Sequence, residues 1–300
     1  INGVFGLRIA DIAGRCGANV VTVDADWGSP VDIGLVKQAL ENLDKVKLLA
    51  AVHVETSTGV VQPMKPLAEL AHAKGALFLA DAVTSLGGVD VRIDDWGIDI
   101  CYSATQKCVG SPPGMSPITL SPNAVEAMRS RQNKVQSFYL DLQLLEKYWL
   151  TDHVYHHTAS MSMIYGLREA LLMLVEEGLE DRFARHYLNA QALKAGLKEL
   201  GMGVLAEEEF QAPQLTAALI PEGLDEAKVR RALLDEYGIE IGGGLGSLAG
   251  KIWRIGLMGE SSKSSHVLSL LQALESLLAR ENHKFDVGSS LSAAQKVLSS

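Results

Sequence analysis

Short apolar runs alternate with helical segments through the first half of this chain, and this alternation is the strongest constraint on its fold. The predicted strands are residues 18–23, 47–54, 76–80 and 98–103. The predicted helices between and after them are residues 31–43, 67–71 and 121–131. Nearly continuous apolar runs are typical of strands that are buried on both faces of a sheet. The pattern therefore predicts an α/β fold with a mostly parallel sheet and helices on both faces.

The periodicity changes in the second half of the chain. Apolar side chains spaced three and four residues apart predict a helix over residues 164–175, and a long helix is predicted over residues 180–200. Strands at residues 215–220 and 251–257 then alternate with helices at residues 225–237 and 264–280. We therefore divide the chain into three parts: a large domain at residues 1–177, a smaller C-terminal α/β domain at residues 178–282, and a Ser-rich tail at residues 283–300 for which poor order is predicted.

Composition narrows the classes of function. The 300 residues carry a net charge of −9, which disfavours nonspecific binding to nucleic acid. Cys16, Cys101 and Cys108 are too few and too scattered for a disulfide framework or a zinc site, so a reducing, cytoplasmic setting is expected, or a peroxisome or mitochondrion in a eukaryote. No apolar run approaches the ~18 residues of a membrane helix, so no membrane partner is expected.

A lysine and an acid end two of the predicted strands. Asp81 follows residues 76–80, and Lys107 follows residues 98–103 after a short polar stretch. The carboxyl ends of neighbouring parallel strands are where ligands bind in α/β folds. A lysine amine forms Schiff bases with aldehydes, and a carboxylate held apart from it can pair with a ring nitrogen. Those are the two protein groups that pyridoxal phosphate chemistry requires most.

Five sequence blocks in order resemble one enzyme family. They are His-Val-Glu-Thr-Ser-Thr-Gly-Val at 53–60, Asp-Ala-Val-Thr-Ser-Leu-Gly-Gly at 81–88, Thr-Gln-Lys at 105–107, Tyr-His-His-Thr at 155–158 and Trp-Arg-Ile-Gly at 253–256. Together they resemble the class V, fold-type I aminotransferases, and among these the alanine/serine–glyoxylate aminotransferases. The resemblance implies the pyridoxal-phosphate-dependent transferase fold of type I, with the cofactor bound in the large domain, and a homodimer acting on small amino acids and 2-oxo acids.

The resemblance also implies roles for individual residues at the cofactor ring. Lys107 matches the Schiff-base lysine that later moves the substrate's proton, and Asp81 matches the partner of the pyridine nitrogen. Thr56 matches the hydroxyl that reaches the ring oxygen, with Ser57 as its rival if the register slips by one residue. Phe5 stands where relatives place an aromatic ring, often tryptophan, against the pyridine face.

Other residues match positions that bind phosphate or substrate. Gln106 resembles a phosphate-contacting position, while Tyr155 and Thr158 match residues that reach the phosphate from the neighbouring subunit. Arg254 matches the arginine that binds the substrate carboxylate through a two-pronged contact. His153, His156 and His157 also suggest a metal site, but no carboxylate or cysteine pattern accompanies them, so none is expected.

The expected activity is amino-group transfer from alanine or serine to glyoxylate. Three alternatives stay open: a ureidoglycine–glyoxylate aminotransferase, a cysteine desulfurase that uses Cys108, and an inactive remnant. The glycines at 242–246 lack the spacing of a nucleotide-binding loop and are expected to form a flexible approach to the site. Because relatives carry a stretch before Ile1, we expect the large domain to be incomplete at its N-terminus.

Overall fold

The computed structural model describes residues 1–299. Its strands are β1 (Leu48–Val52), β2 (Val54–Glu55), β3 (Val60–Val61), β4 (Leu77–Asp81), β5 (Ile100–Tyr102), β6 (Ile118–Leu120), β7 (Leu215–Leu219), β8 (Gly242–Gly243) and β9 (Ile252–Gly256). Its α-helices are α1 (Val4–Arg15), α2 (Ile33–Glu41), α3 (Lys65–Ala73), α4 (Pro122–Arg129), α5 (Leu142–Trp149), α6 (Met161–Glu177), α7 (Leu179–Glu199), α8 (Glu226–Tyr237), α9 (Ser264–Arg280) and α10 (Ser289–Leu298).

The first half of the chain is built on a four-stranded sheet with the order β1-β4-β5-β6. β1, β4 and β5 are parallel, and β6 runs antiparallel to β5. A hairpin of β2 and β3 follows β1 directly. The mostly parallel α/β arrangement that the sequence predicts is confirmed.

Local sequence signals set the ends of several helices. The Asp32 and Ser121 side chains accept hydrogen bonds from the first turns of α2 and α4, as N-cap residues do. Pro66 occupies the first turn of α3, and Gly75 follows that helix at φ 67°, a conformation that favours glycine. The helices cover apolar faces of the sheet, so that Phe78 of β4 is completely buried.

The second half forms a separate core. β7, β9 and β8 make a three-stranded antiparallel sheet in that order, against which α7, α8, α9 and α10 pack. Trp253 of β9 and Leu271 of α9 are fully buried in this core. α6 gives way to α7 at Gly178, whose φ is 81°. The boundary that we place there, and hence the division into two domains, stays a prediction.

Two expectations differ from the structure. Residues 18–23 form no strand, because no neighbouring segment within residues 1–299 pairs with them, and Val21 is 57% exposed. Most of the Ser-rich tail is ordered rather than loose. The tail forms helix α10, which packs on α7 and α9. At the start of α10, Gly288 N, Ser290 N and Ser290 Oγ donate hydrogen bonds to the buried carboxylate of Glu275 on α9. The capping carboxylate lies on another helix, which explains why the local pattern did not reveal it.

The apolar stripe of α6 is only partly covered by the rest of the described chain. Ala170 is its only buried residue within the described chain, whereas Val175 is 75% exposed. α5 and the loops on either side of it expose further large apolar side chains, namely Phe138, Tyr139, Leu140, Trp149, Leu150, Val154 and Tyr155. Contiguous exposed apolar surface of this kind is typical of protein interfaces.

Gly196 tests the packing of α7, and Gly14 of α1 is its control. An added Cβ at Gly196 would lie 2.4 and 2.7 Å from the Leu271 methyl groups and 3.0 Å from Ser290 O. We expect Gly196→Ala to destabilise the fold by about 1–3 kcal/mol through overpacking, despite the better helix propensity of alanine. Gly14 in α1 has open space around it, so Gly14→Ala should instead stabilise by about 0.5–1 kcal/mol. Thermal unfolding measures both, and an unchanged or raised Tm for Gly196→Ala would contradict the packing.

Candidate active site

Asp81, at the carboxyl end of β4, is held by hydrogen bonds to both its backbone and its side chain. Its backbone carbonyl accepts a hydrogen bond from His53 N, and in the register of the sheet it lies between Val52 and Tyr102. Its side-chain Oδ1 accepts from Val83 N at 2.8 Å and its Oδ2 from the Tyr102 hydroxyl at 2.7 Å. Burial raises the pKa of this carboxyl, and the two donors oppose that rise.

The Asp81 carboxylate is 6% exposed and forms no ion pair within residues 1–299. Both of its hydrogen-bond donors are neutral groups. Buried carboxylates are normally paired with a cation, so this site is complementary to a positively charged N–H donor.

Lys107 lies in the turn that follows β5. The turn is tied down by Thr105 Oγ1, which donates to Pro112 O at 2.7 Å, and by the Cys108 thiol, which donates to Thr84 O. The Lys107 amine makes no hydrogen bond or ion pair within the described chain. Burial, and after it the charge of Arg254, lowers the pKa of this amine. Gln106 is exposed beside it.

Thr56 and Ser57 have different environments. Thr56 Oγ1 shares a short hydrogen bond with Thr84 Oγ1, and both threonines are buried. Ser57 Oγ instead donates to Glu55 Oε1 at 2.6 Å and accepts from Val4 N at 2.9 Å. The Ser57 hydroxyl is therefore committed to the protein's own structure, which favours Thr56 as the cofactor contact.

A buried glutamate anchors the helix that carries Phe5. Glu55 is completely buried, and its carboxylate accepts hydrogen bonds from Phe5 N and Gly6 N in the first turn of α1. A side chain at Gly3 would collide with Glu55, since its Cβ would lie 2.4 Å from Glu55 Cγ. The guanidinium of Arg8 lies over one face of the Phe5 ring at 4.8 Å. Only the opposite face of that ring can therefore stack on a ligand.

Arg254 is held by the glycine segment that we expected to be a flexible approach loop. Gly242 and Gly243 form β8 instead, and Arg254 Nε donates to Gly243 O at 2.8 Å. A Cβ at Gly242 would lie 3.1 Å from Arg254 Nη2, so glycine leaves room for the guanidinium. Both terminal nitrogens of this half-buried guanidinium lack a protein hydrogen-bond partner within residues 1–299. This pair of nitrogens suits a carboxylate.

Tyr155 and Thr158 are not joined to the other candidates within the single chain. Their hydroxyl groups hydrogen-bond to each other at 3.1 Å on an exposed segment. The neighbouring His156 uses both ring nitrogens, one with Phe138 O at 3.1 Å and the other with His157 Nδ1 at 2.8 Å. No group of three or more potential metal ligands occurs in the part of the chain that the structure describes.

Residues outside the predicted set also shape the site. Arg182 of α7 is 1% exposed and donates to Gly87 O at 3.1 Å and to Cys108 O at 2.8 Å, which links the loops that follow β4 and β5. The charge of Arg182 is balanced by Glu177, whose Oε2 lies 2.6 Å from Arg182 Nη1. Tyr102 and Glu55 also lie outside the predicted set and contribute to the site, Tyr102 through its hydrogen bond to Asp81 and Glu55 through its bonds to α1. No sequence signal marks Arg182, whereas Glu55 and Tyr102 lie within or beside the blocks that carry the family resemblance.

The residues present fit pyridoxal phosphate. The unpartnered Lys107 amine suits its aldehyde, the Asp81 carboxylate suits its protonated ring nitrogen, and the buried Thr56 hydroxyl suits its ring oxygen. The exposed face of Phe5 suits the flat pyridine ring.

Residues 7–259 match the aminotransferase class-V family, and the chain belongs to that family of pyridoxal-phosphate-dependent aminotransferases. It is 39% identical to the (S)-ureidoglycine–glyoxylate transaminase of Bacillus subtilis over 99% of this chain and 76% of that protein. The crystal structure of the ureidoglycine–glyoxylate aminotransferase of B. subtilis matches at a TM-score of 0.97 with 41% identity, covering 100% of this chain and 77% of the other. The alanine–glyoxylate aminotransferase of Nostoc sp. matches at a TM-score of 0.90 with 46% identity, covering 93% and 74%. The predicted fold type I and the predicted cofactor are confirmed, while the individual site residues stay predictions.

No helix within residues 1–299 is both long enough and apolar enough to cross a membrane.

The effect of Arg254 on Lys107 can be measured without cofactor. The guanidinium disfavours the ammonium form, so Arg254→Gln should raise the pKa of the Lys107 amine, while burial keeps it below the ordinary value. Competitive acetylation of the apoprotein across a pH series, followed by peptide mapping, gives the Lys107 titration. Arg280→Gln is the control, because Arg280 is exposed and paired with Glu236. A Lys107 titration midpoint that falls or does not move in Arg254→Gln would contradict the arrangement.

Proposed function

We propose that this chain transfers the amino group of alanine or serine to glyoxylate, yielding glycine and pyruvate or hydroxypyruvate. The observation that carries the proposal is that the partly buried Lys107 amine, which has no protein partner within residues 1–299, lies close enough to Arg254 for that cation to lower its pKa. The terminal nitrogens of Arg254 also have no protein partner there. The amine is the group that reacts with the cofactor and moves a proton. The guanidinium of Arg254 holds the substrate by its carboxylate so that the α-carbon lies next to that amine.

Pyridoxal phosphate, when bound, supplies an aldehyde that condenses with amines and a ring that withdraws electrons from the substrate's α-carbon. Lys107 Nζ would hold the aldehyde of the bound cofactor and would accept the proton of the substrate's α-carbon. Accepting a proton requires a neutral amine, and burial and the charge of Arg254 favour that form because they lower the pKa of Lys107. Asp81, as a carboxylate, keeps the ring nitrogen protonated, while Thr56 and Phe5 hold the ring's position.

The charges around the site favour small substrates with one carboxylate. Arg254 is the cation that influences Lys107, and the carboxylates of Glu55 and Asp81 lie on the same side of the fold. A second carboxylate on a substrate would be repelled by these anions, and Arg8, the other cation that acts on Asp81, lies against one face of the Phe5 ring. Both similar enzymes carry glyoxylate in their names, which supports it as the acceptor here. The two candidate activities differ in the amino donor, which is alanine or serine in one and ureidoglycine in the other.

Cysteine desulfuration is disfavoured by the environment of Cys108. Its thiol is fully buried and directed at Thr84 O, and burial raises its pKa to about 12. A nucleophilic cysteine needs the opposite, namely an accessible thiol with a depressed pKa. The remaining alternative is an inactive protein, and an assay of glycine formation distinguishes it from an active enzyme.

A homodimer is supported by the exposed apolar surface of α5 and α6. Leu171, Leu172 and Met173 add to Val175 on α6, and the aromatic segment around Tyr155 adjoins α5. A two-fold contact through this surface would bring the Tyr155 and Thr158 hydroxyls of one chain to the phosphate held near Gln106 of the other. We therefore propose that each site is completed by its neighbour.

The activity is tested by supplying glyoxylate together with alanine, serine or ureidoglycine and measuring glycine. We expect turnover with alanine or serine, and we expect Lys107→Ala to reduce it by about 10²–10⁴-fold because its proton transfer is lost. Borohydride reduction should attach the cofactor to Lys107, as peptide mapping shows. Preference for ureidoglycine would establish the alternative donor. The absence of glycine formation with every donor, or a label on another lysine, would refute the assignment.

The shared site is tested by a hybrid dimer. Chains carrying Lys107→Ala and chains carrying both Tyr155→Ala and Thr158→Ala are each expected to be weakly active. Co-expressed, they should regain about a quarter of wild-type activity, because half of the dimers are hybrids and each hybrid has one intact site. Mixing Lys107→Ala with wild-type chains in the same ratio calibrates the assay. A failure to regain activity in confirmed hybrid dimers would place the phosphate contacts within one chain.

A further inference from the structure

Tyr102 is the one side chain that hydrogen-bonds to Asp81 in the part of the chain that the structure describes. β4 and β5 are parallel neighbours, and their register places Tyr102 directly beside Asp81. Side chains of paired residues in adjacent strands project from the same face of a sheet. The Tyr102 hydroxyl therefore reaches Asp81 Oδ2 at 2.7 Å without leaving its strand.

The backbone of both residues is fixed as well. Ala82 N donates to Tyr102 O, while His53 N donates to Asp81 O on the opposite side of β4. Val83 N occupies the other carboxylate oxygen, Oδ1, at 2.8 Å. Each oxygen thus accepts one hydrogen bond, which sets the plane of the carboxylate and leaves lone pairs on both oxygens for a further N–H donor.

We propose that Tyr102 is a positioning residue, whose hydroxyl fixes the Asp81 carboxylate in its ionised form and in the orientation that receives the ring nitrogen of the cofactor. The inference rests on the proposed role of Asp81. Tyr102 itself need not touch the cofactor or the substrate.

The surroundings of Asp81 explain why such a residue is needed. Burial raises the pKa of this carboxyl, and the negative charge of Glu55 on β2 adds to the rise. Arg8 on α1 opposes it from a distance, and the Cys101 thiol on β5 lies near enough to be affected by Asp81. The Tyr102 hydrogen bond is the largest influence in favour of the ionised form. Because burial and Asp81 also raise the pKa of Tyr102, its hydroxyl stays protonated and remains a donor.

Tyr102→Phe tests the proposal because it removes one oxygen and keeps the ring. The dissociation constant of pyridoxal phosphate is measured by fluorescence quenching of the apoprotein from about pH 5.5 to about pH 8.5, a range that extends from neutral pH toward the ordinary pKa of a carboxyl group. The ratio of the variant's constant to that of the wild type, taken at each pH, cancels the cofactor's own titrations. We expect a ratio of about 10 near neutral pH that grows as the pH falls, since Asp81 then needs more free energy to ionise.

A double-mutant cycle separates positioning from a general effect on the fold. With Asp81→Asn in the background, Tyr102→Phe should change the dissociation constant by less than about twofold, because the group it acts through is gone. Tyr237→Phe is the matched control, since it also removes a hydrogen-bonded hydroxyl, one that accepts from Arg280 far from β4. The kinetic counterpart is a loss in kcat larger than any rise in KM, with the acid limb of the kcat profile moved to higher pH.

The outcomes are distinguishable. If Asp81→Asn weakens cofactor binding but Tyr102→Phe does not, the inference is wrong while the proposed role of Asp81 survives. An equal effect of Tyr102→Phe in the wild-type and Asp81→Asn backgrounds also overturns it, because Tyr102 would then act without Asp81. If Asp81→Asn leaves cofactor affinity unchanged, the role of Asp81 fails and the inference fails with it. Growth of the ratio at low pH together with coupling in the cycle would establish it.

Discussion

The hydrogen-bond ladders on both sides of β4 are the constraint on which the rest of the site depends. β4 lies between β1 and β5, so the backbone of Asp81 cannot shift without breaking bonds to two strands. The residues that follow these strands are positioned by the sheet. Thr84 follows β4 and meets Thr56, which follows the hairpin strand after β1, and Lys107 follows β5. A parallel sheet thus collects groups that are distant in sequence at one edge.

A buried carboxylate extends this rigid edge to the first helix. Removing the charge of Glu55 from water carries a large free-energy penalty, which the backbone amides at the start of α1 offset because they present unpaired N–H groups and the positive end of the helix dipole. The same bonds fix α1 relative to the hairpin. Phe5 and Thr56, the two residues that we propose hold the cofactor ring, are consequently fixed by one network, and glycine at position 3 is required for that network to form.

The sequence revealed the parts of this arrangement that local patterns encode. Apolar strands and capped helices are local, and so are the strand-end positions of Asp81 and Lys107. Pairing partners are not local: residues 18–23 have the composition of a strand, yet they lack a neighbouring strand in residues 1–299. Tyr102 could be linked to Asp81 only once the register of β4 and β5 was known. Arg182 donates a hydrogen bond to Cys108 O, which lies 74 residues away in the sequence. The residues next to Arg182 in the sequence therefore do not indicate its role.

The charged groups that are withdrawn from water differ in whether an opposite charge balances them, and this difference supports the proposed site. Arg182 is buried and its charge is balanced by Glu177, as structural ions generally are. Asp81, Lys107 and Arg254 are also partly or wholly withdrawn from water, but within residues 1–299 none of them forms an ion pair. Burial therefore shifts the pKa of each toward its neutral form. A cofactor with a cationic ring nitrogen and an aldehyde, together with a substrate that has a carboxylate, would supply the partners that these three groups lack within residues 1–299. Under the proposed roles, the free energy of binding both molecules is directed at the atoms where proton transfer occurs.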